Sequence, residues 1–186
     1  ATRVDVNGLI EKGRENLLLQ SNQFDTTWSI VNNGSLTSGQ SGYDGSNNAW
    51  LYTKTGNGSR IQQAISASGV QTYSIYAKAN ASNWVRFLIT ASTGNQARYF
   101  NLSNGTKGGS IYGGEIESTI TSVGNNWYRI TLTFNETTTA VRLYPANADG
   151  DTSATSGSIY IQDAQLEQGL VATDYIETGA STAQAG

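Results

Sequence analysis

The chain is 186 residues long, with 14 acidic and 11 basic side chains, a formal net charge of −3, and no His, Cys or Met. Without His and Cys it cannot build a His/Cys zinc site, a Ser-His-Asp or Cys-His nucleophile, a disulfide or a redox dithiol. The 20 Ser, 22 Thr, 17 Asn and 21 Gly make a sparsely charged, hydroxyl-rich chain. Its basic residues are few and scattered, which argues against nucleic-acid partners, whose phosphates demand clustered Lys and Arg.

The length implies one main domain. No apolar run reaches the roughly 18 residues of a membrane span, and the N-terminal segment lacks the apolar stretch of a signal peptide, so membrane insertion is not expected. Residues 1–15 are charge-rich around a single apolar pair, Leu9-Ile10, and read as an N-terminal arm or linker. Extended at about 3.3 Å per residue, such an arm reaches roughly 50 Å. Residues 177–186 carry almost no apolar groups and read as a flexible C-terminal tail.

Between these ends, short apolar or aromatic runs alternate with Gly/Asn/Ser/Thr clusters. Strands are predicted at 16–20, 49–53, 60–65, 72–79, 84–91, 96–102, 115–123, 127–134, 140–145, 158–165 and 172–176. In 73–79 the odd positions are Tyr73, Ile75, Ala77 and Ala79, and the even ones Ser74, Tyr76 and Lys78. In 127–134 the even positions Tyr128, Ile130, Leu132 and Phe134 form one apolar face. Asn32-Asn33-Gly34, Asn57-Gly58, Asn104-Gly105, Gly124-Asn125-Asn126 and Asp149-Gly150-Asp151 supply residues that tolerate positive φ in tight turns. One buried and one solvated side per strand predicts an all-β, two-sheet antiparallel jelly-roll sandwich over residues 16–176.

The aromatic residues are the candidates for a binding surface. A flat ring packs against the C–H face of a sugar while polar neighbours bind its hydroxyls. Trp50 and Tyr52 share one strand face, with Asn48 beside them, and Tyr112 lies in the glycine-rich stretch 108–114. These four are the predicted carbohydrate contacts, whereas Trp84 and Trp127 read as core. Glu115 and Glu117 stand at i, i+2 and are the one paired-carboxylate arrangement considered for glycoside hydrolysis. No apolar pocket is legible around them, so catalysis is not expected. Asp149-Gly150-Asp151 lacks the further acids of a calcium loop and reads as a hairpin turn.

Three segments carry a resemblance. Ala1-Thr2-Arg3-Val4 followed by Gly8-Leu9-Ile10-Glu11 is similar to a junction in tail-fibre and other virion proteins of bacteriophages. Asn16-Leu17-Leu18-Leu19-Gln20-Ser21-Asn22-Gln23-Phe24-Asp25 with Trp28 resembles the first strand of jelly-roll carbohydrate-binding modules found beside xylanases and cellulases. Residues 158–169 with Ala172-Thr173-Asp174-Tyr175-Ile176 resemble the last strands of that module as it recurs in phage proteins. The resemblance implies a non-enzymatic virion surface protein, used as capsid decoration, head fibre or tail-fibre domain, with other virion proteins and host glycans as partners. By analogy with phage fibres it implies a homotrimer. The alternative it leaves open is a carbohydrate-binding module of a secreted polysaccharide-degrading enzyme. It also implies a structural Ca²⁺ held by an acid after the first strand and an Asp in the last, which fall here on Asp25 and Asp163, although Gln162 stands where the family often has a second acid.

Overall fold

The computed structural model describes residues 2–4, 10–111 and 113–184, and among these every regular element is a strand. In chain order they are β1 (Thr2–Val4), β2 (Ile10–Lys12), β3 (Glu15–Asn16), β4 (Ser29–Val31), β5 (Gly34–Gln40), β6 (Ala49–Lys54), β7 (Arg60–Ala79), β8 (Trp84–Ala91), β9 (Gly94–Asn101), β10 (Thr106–Ile111), β11 (Glu115–Gly124), β12 (Trp127–Ala146), β13 (Gly157–Gln168) and β14 (Ala183–Gln184).

Two of these strands, β7 and β12, are 20 residues long and pair with each other antiparallel from Trp127↔Lys78 to Leu143↔Ile61. They are long enough to serve two layers. The first layer runs β11-β12-β7-β13-β6-β5, using the N-terminal half of β12 and the C-terminal half of β7. The second runs β4-β7-β12-β8-β9-β10, using the opposite halves. The crossing between layers falls near Gly69, at φ +88°, and a register shift between Thr138 and Ala140. Glycine meets the first requirement without a Cβ clash, and a bulge re-aims the second strand. This is the predicted two-sheet antiparallel jelly-roll sandwich.

The predicted alternation decides which faces meet. Ile130, Leu132 and Phe134 are fully buried, as are Tyr73, Ile75 and Ala77 on the paired strand, and Tyr73 stacks on Phe87 at 3.9 Å across the layers. Tyr128 is half-buried at the edge of the same core.

Some boundaries differ from the sequence reading, each for a physical reason. The predicted strands 60–65 and 72–79 are one strand, and so are 127–134 and 140–145, because the Ser/Gly/Thr-rich stretches between them pair with each other instead of turning. The edge strand β5 has a single large apolar residue, Leu36, and its Gly34 is demanded by contact: a Cβ there would lie 2.8 Å from the Thr53 carbonyl oxygen. Segments 17–20 and 172–176 are not regular strands but irregular chain held by side-chain hydrogen bonds. The N-terminal arm folds back through backbone pairing of β1 with β2.

The two ends of the domain are stitched through Asn16. Its fully buried amide donates to the carbonyls of Ala164 (3.1 Å) and Ile176 (2.9 Å), and its oxygen accepts from Leu18 N (3.1 Å) and Leu166 N (3.2 Å). Residues 178–184 pack against the same seam. Thr178 is buried, donates its hydroxyl to the Leu18 carbonyl at 2.7 Å, and precedes the β14–β3 ladder. Asn16→Ala leaves buried backbone groups on three segments unpaired. We expect a loss of about 3 kcal/mol, read in thermal melts as a Tm lower by roughly 6–12 °C.

Candidate functional site

The outer face of the first layer is built by the residues that the core alternation leaves over. On β12 these are Trp127, Arg129, Thr131 and Thr133; on β7, Ser74, Tyr76 and Lys78. Cross-strand register sets them in rows, since directly opposed residues share a face. One row runs Thr121–Arg129–Tyr76–Gln162, and the next places Thr119, Thr131 and Ser74 side by side. Tyr76 carries an almost parallel Tyr43 ring at 3.6 Å, with the Arg129 guanidinium 5.3 Å from its centroid. Trp127 is buried beneath Tyr43 and Tyr160, so this face has an aromatic base of its own, separate from the main core.

Beside that base lies an open groove of about 380 Å³. Thr119, Thr121, Thr131 and Thr133 line its floor, Arg129 and Tyr76 close one end, and Glu117 is the carboxylate at its edge. One wall is the loop at residues 169–173, and several bonds hold it in place. Thr72 donates to the Gly169 carbonyl at 2.9 Å, Arg129 donates to the Thr173 carbonyl, and buried Glu167 accepts from Thr173 N (3.0 Å) and its hydroxyl (2.7 Å). The fixed loop presents Leu170 and Val171, 59 % and 65 % exposed, at the rim, and Val123 also lines the groove. Apolar rims over a hydroxyl floor suit a ligand with alternating C–H faces and hydroxyls.

The predicted site residues are only partly brought together. Trp50, Asn48 and Asp25 line one polar cleft of about 350 Å³ with Asn22 and Glu177. Trp50 offers that cleft little more than an edge: it is 7 % exposed, lies against Phe24, and donates its indole N–H to the Asn22 carbonyl at 2.9 Å. Tyr52 is a correction. It shares the Trp50 face as expected, but that face is the core side, where Tyr52 is fully buried with its hydroxyl on Ser59 at 2.7 Å and no ring surface for a sugar. Tyr112 lies outside the described residues.

Glu115 and Glu117 are likewise separated, because the register shift between them turns the first away from the groove. Glu115 takes two bonds from Arg98, at 2.6 and 2.9 Å, and one from Ser118. Burial opposes its charge, but these donors outweigh it and hold the carboxyl below its usual range.

Calcium needs six to eight oxygens by its ordinary chemistry. Asp25 is exposed and accepts a bond from Thr26, whereas Asp163 is buried, at φ +54°, with one oxygen taking the Tyr43 hydroxyl at 2.9 Å. Among the described residues, no group of three acidic side chains is placed to hold a metal ion. Asp25 and Asp163 are each bonded to a neighbouring hydroxyl, and this end of the sandwich is joined through Asn22. Its side chain accepts from Asp163 N at 3.1 Å and donates to the Asn48 carbonyl at 3.0 Å.

Sequence reading missed Arg129, Tyr43 and the threonine floor. A signal for part of it existed: Tyr76 stands with Ser74 and Lys78 on the solvated side of its strand, an aromatic where alternation calls for a polar residue. The contribution of residues 169–173 had no local signal, because the wall exists only through long-range bonds.

No protein-family model matches the chain, and no curated protein matches it. Among solved structures, the CBM22-1 xylan-binding domain from Paenibacillus barcinonensis Xyn10C superposes with a TM-score of 0.51 at 13 % identity, covering 84 % of this chain and 96 % of that one. The Clostridium thermocellum Xyn10B CBM22-1–GH10 modules follow at 0.49 and 9 %, covering 89 % and 30 %. The enzymatically active domain of tailspike protein 4 from bacteriophage CBA120 gives 0.45 and 14 %, covering 81 % of this chain and 21 % of the tailspike chain. The match at 0.51 supports a carbohydrate-binding-module-like jelly roll, and at such identity it speaks to the fold alone.

Asp163 supplies a test of how this end is held. Burial pushes its carboxyl up to about 6, helped by the charges of Asp44 and Glu177 and opposed by the Tyr43 bond and Arg129. An unfolded Asp titrates near 4, so between about pH 4 and 6 the folded protein keeps a proton that the unfolded chain has released. Raising the pH through that window lowers stability, by up to about 3 kcal/mol once complete. Asp163→Asn, whose amide tolerates the left-handed backbone, should match wild type in Tm near pH 4 and exceed it near pH 8, in melts run with EDTA. A wild-type Tm raised by calcium in parallel melts without EDTA is the outcome expected of an ion held by Asp25 and Asp163.

Proposed function

We infer that this chain is a non-enzymatic glycan-binding domain displayed on a bacteriophage virion, where it grips host-surface sugars. The observation that carries the binding part is the groove on the first layer, with its threonine floor, Arg129–Tyr76 end and apolar Leu170/Val171 rim. The jelly-roll likeness to a xylan-binding domain supports the same ligand class. A single carboxylate, Glu117, lines the groove, and glycoside hydrolysis ordinarily uses two flanking the bond, which supports a binding role over a catalytic one. The virion setting rests on the resemblance of the N-terminal junction and last strands to phage structural proteins. A surface rich in hydroxyls and free of Cys and Met suits an exposed particle, because it offers nothing to thiol or thioether oxidation.

The second reading, a binding module of a secreted polysaccharide-degrading enzyme, is favoured by one observation: the xylan-binding domain matches over nearly its whole length. Immunogold labelling of particles separates the two, since a virion component decorates them and an enzyme module does not.

The groove is tested by affinity electrophoresis through gels containing xylan or other neutral β-glycans. We expect wild type to be retarded by at least one of these. Arg129→Gln should weaken that binding about tenfold, the scale of one charge-assisted hydrogen bond, and Val171→Asp should weaken it through loss of an apolar contact. Both variants melting as wild type and binding unchanged would remove the groove from the reading.

A further inference from the structure

The outer face of the second layer carries an arrangement that the groove does not explain. Three arginines, Arg60, Arg86 and Arg142, come from three adjacent strands, β7, β8 and β12. Arg142 pairs with Gln62 on β7 and Leu88 on β8, and Tyr144, two residues on, pairs with Arg86. Arg60 stands two residues from Gln62 and so on the same face. Tyr144 lies between two guanidinium groups, Arg86 at 4.9 Å and Arg60 at 5.8 Å from its ring centroid. Beneath them, Leu88 and Ala97 form a small apolar cluster with Tyr144, and Leu88 is fully buried although it points away from the main core. The three arginines on the same face are half-buried, as long side chains covering such a patch are.

None of these three arginines makes an ion pair with a described residue on this face. Among the described residues, the ion pair is Arg98–Glu115, at a different edge. The Nε groups of Arg86 and Arg142 are buried without a hydrogen-bond partner, and Arg60 donates to neutral acceptors, Gln62 and the Gly58 carbonyl. The acids at the near end of the face are already committed. Asp151 accepts from Asn147 N, Ser153 N and Ala154 N, and Asp149 accepts from Gly109 N, each fixing a turn. A chain of net charge −3 thus gathers three unpaired arginines on one sheet face.

We propose that this arginine ladder binds polysaccharide chains bearing carboxylate or sulfate groups. Guanidinium groups offer planar forks that match such oxyanions bidentately. Neighbouring strands lie about 4.8 Å apart, so the backbones of Arg60 and Arg86, on the outer two of three strands, stand roughly 10 Å apart. A ladder of three arginines spread over three strands suits charges repeated along a chain. Dense polyphosphate is disfavoured by the protein's own negative charge, whereas a sparser anionic sugar chain meets the ladder locally. The site is on the layer opposite the groove and does not depend on it.

Affinity electrophoresis of the full chain tests the proposal with four probes: polygalacturonate for carboxylates, dextran sulfate for sulfates, neutral dextran and duplex DNA. We expect retardation by one or both anionic polysaccharides, the responding polymer identifying the oxyanion, and none by dextran. The R86Q/R142Q variant should bind about tenfold or more weakly, while Arg129→Gln in the groove should bind the anionic polymer as wild type. If R86Q/R142Q does not fold, R86K/R142K keeps stems and charges but loses the forks: weakened binding supports the proposal and wild-type binding overturns it. Absence of retardation by both anionic polysaccharides, retardation by DNA as strong as theirs, or a folded R86Q/R142Q that binds unchanged would each overturn it.

Discussion

The ladder between β7 and β12 is the constraint on which the rest of the sandwich depends. Most two-sheet sandwiches keep their strands in one layer or the other, whereas here a single antiparallel pair belongs to both. Every other strand of the sandwich hydrogen-bonds to this pair directly or through one or two intervening strands. The layers are therefore related by backbone bonds as well as by packing, and the register between Trp127↔Lys78 and Leu143↔Ile61 sets which side chains face inward in both. A slip of one residue would exchange the buried and solvated sets throughout, placing Arg129 and Arg142 in the core.

The same register creates both candidate surfaces. In the first layer, the residues alternating with Ile130 and Leu132 become the groove floor and its arginine–tyrosine end. In the second, the residues alternating with Val141 and Leu143 become the Arg142–Tyr144 band. Each surface then needs something from far along the chain. The groove takes its wall from residues 169–173, held by Glu167 and Arg129, and the arginine face takes its apolar base from Leu88 and Ala97.

The closing of the domain follows a different logic. Polar residues with no bulk to pack, Asn16, Ser21, Asn22 and Thr178, are buried where the first and last segments meet, and each satisfies its hydrogen-bonding groups against the other segment. Buried amides fully satisfied in this way specify one geometry, because any other leaves them unpaired at a cost.

The existence of the long strands β6–β9 and β11–β13, the identity of their apolar faces and the sandwich architecture were legible in the chain, because period-two alternation is a local property imposed by the pleat, whereas the polar edge strands β5 and β10 carry no such alternation. The burial of Trp127 could be anticipated, and so could Tyr76 on a solvated face. The fusion of four predicted strands into two was hidden, since the Ser/Gly/Thr stretches that read as turns are strand only because each finds the other as its partner. The site was less legible for the same reason. Trp50 and Tyr52 share a face as their spacing requires, but which side of β6 meets the core is settled by β13 and the opposing layer. The packing of residues 178–184, the separation of Glu115 from Glu117 by a bulge, and the gathering of three arginines on one sheet face arise from contacts between residues remote in sequence. Composition and alternation by themselves determined a sparsely charged, cysteine-free β-sandwich without His or thiol chemistry. Register, layer crossing and long-range hydrogen bonds, which exist only once the chain is folded, decided where on it a ligand can bind.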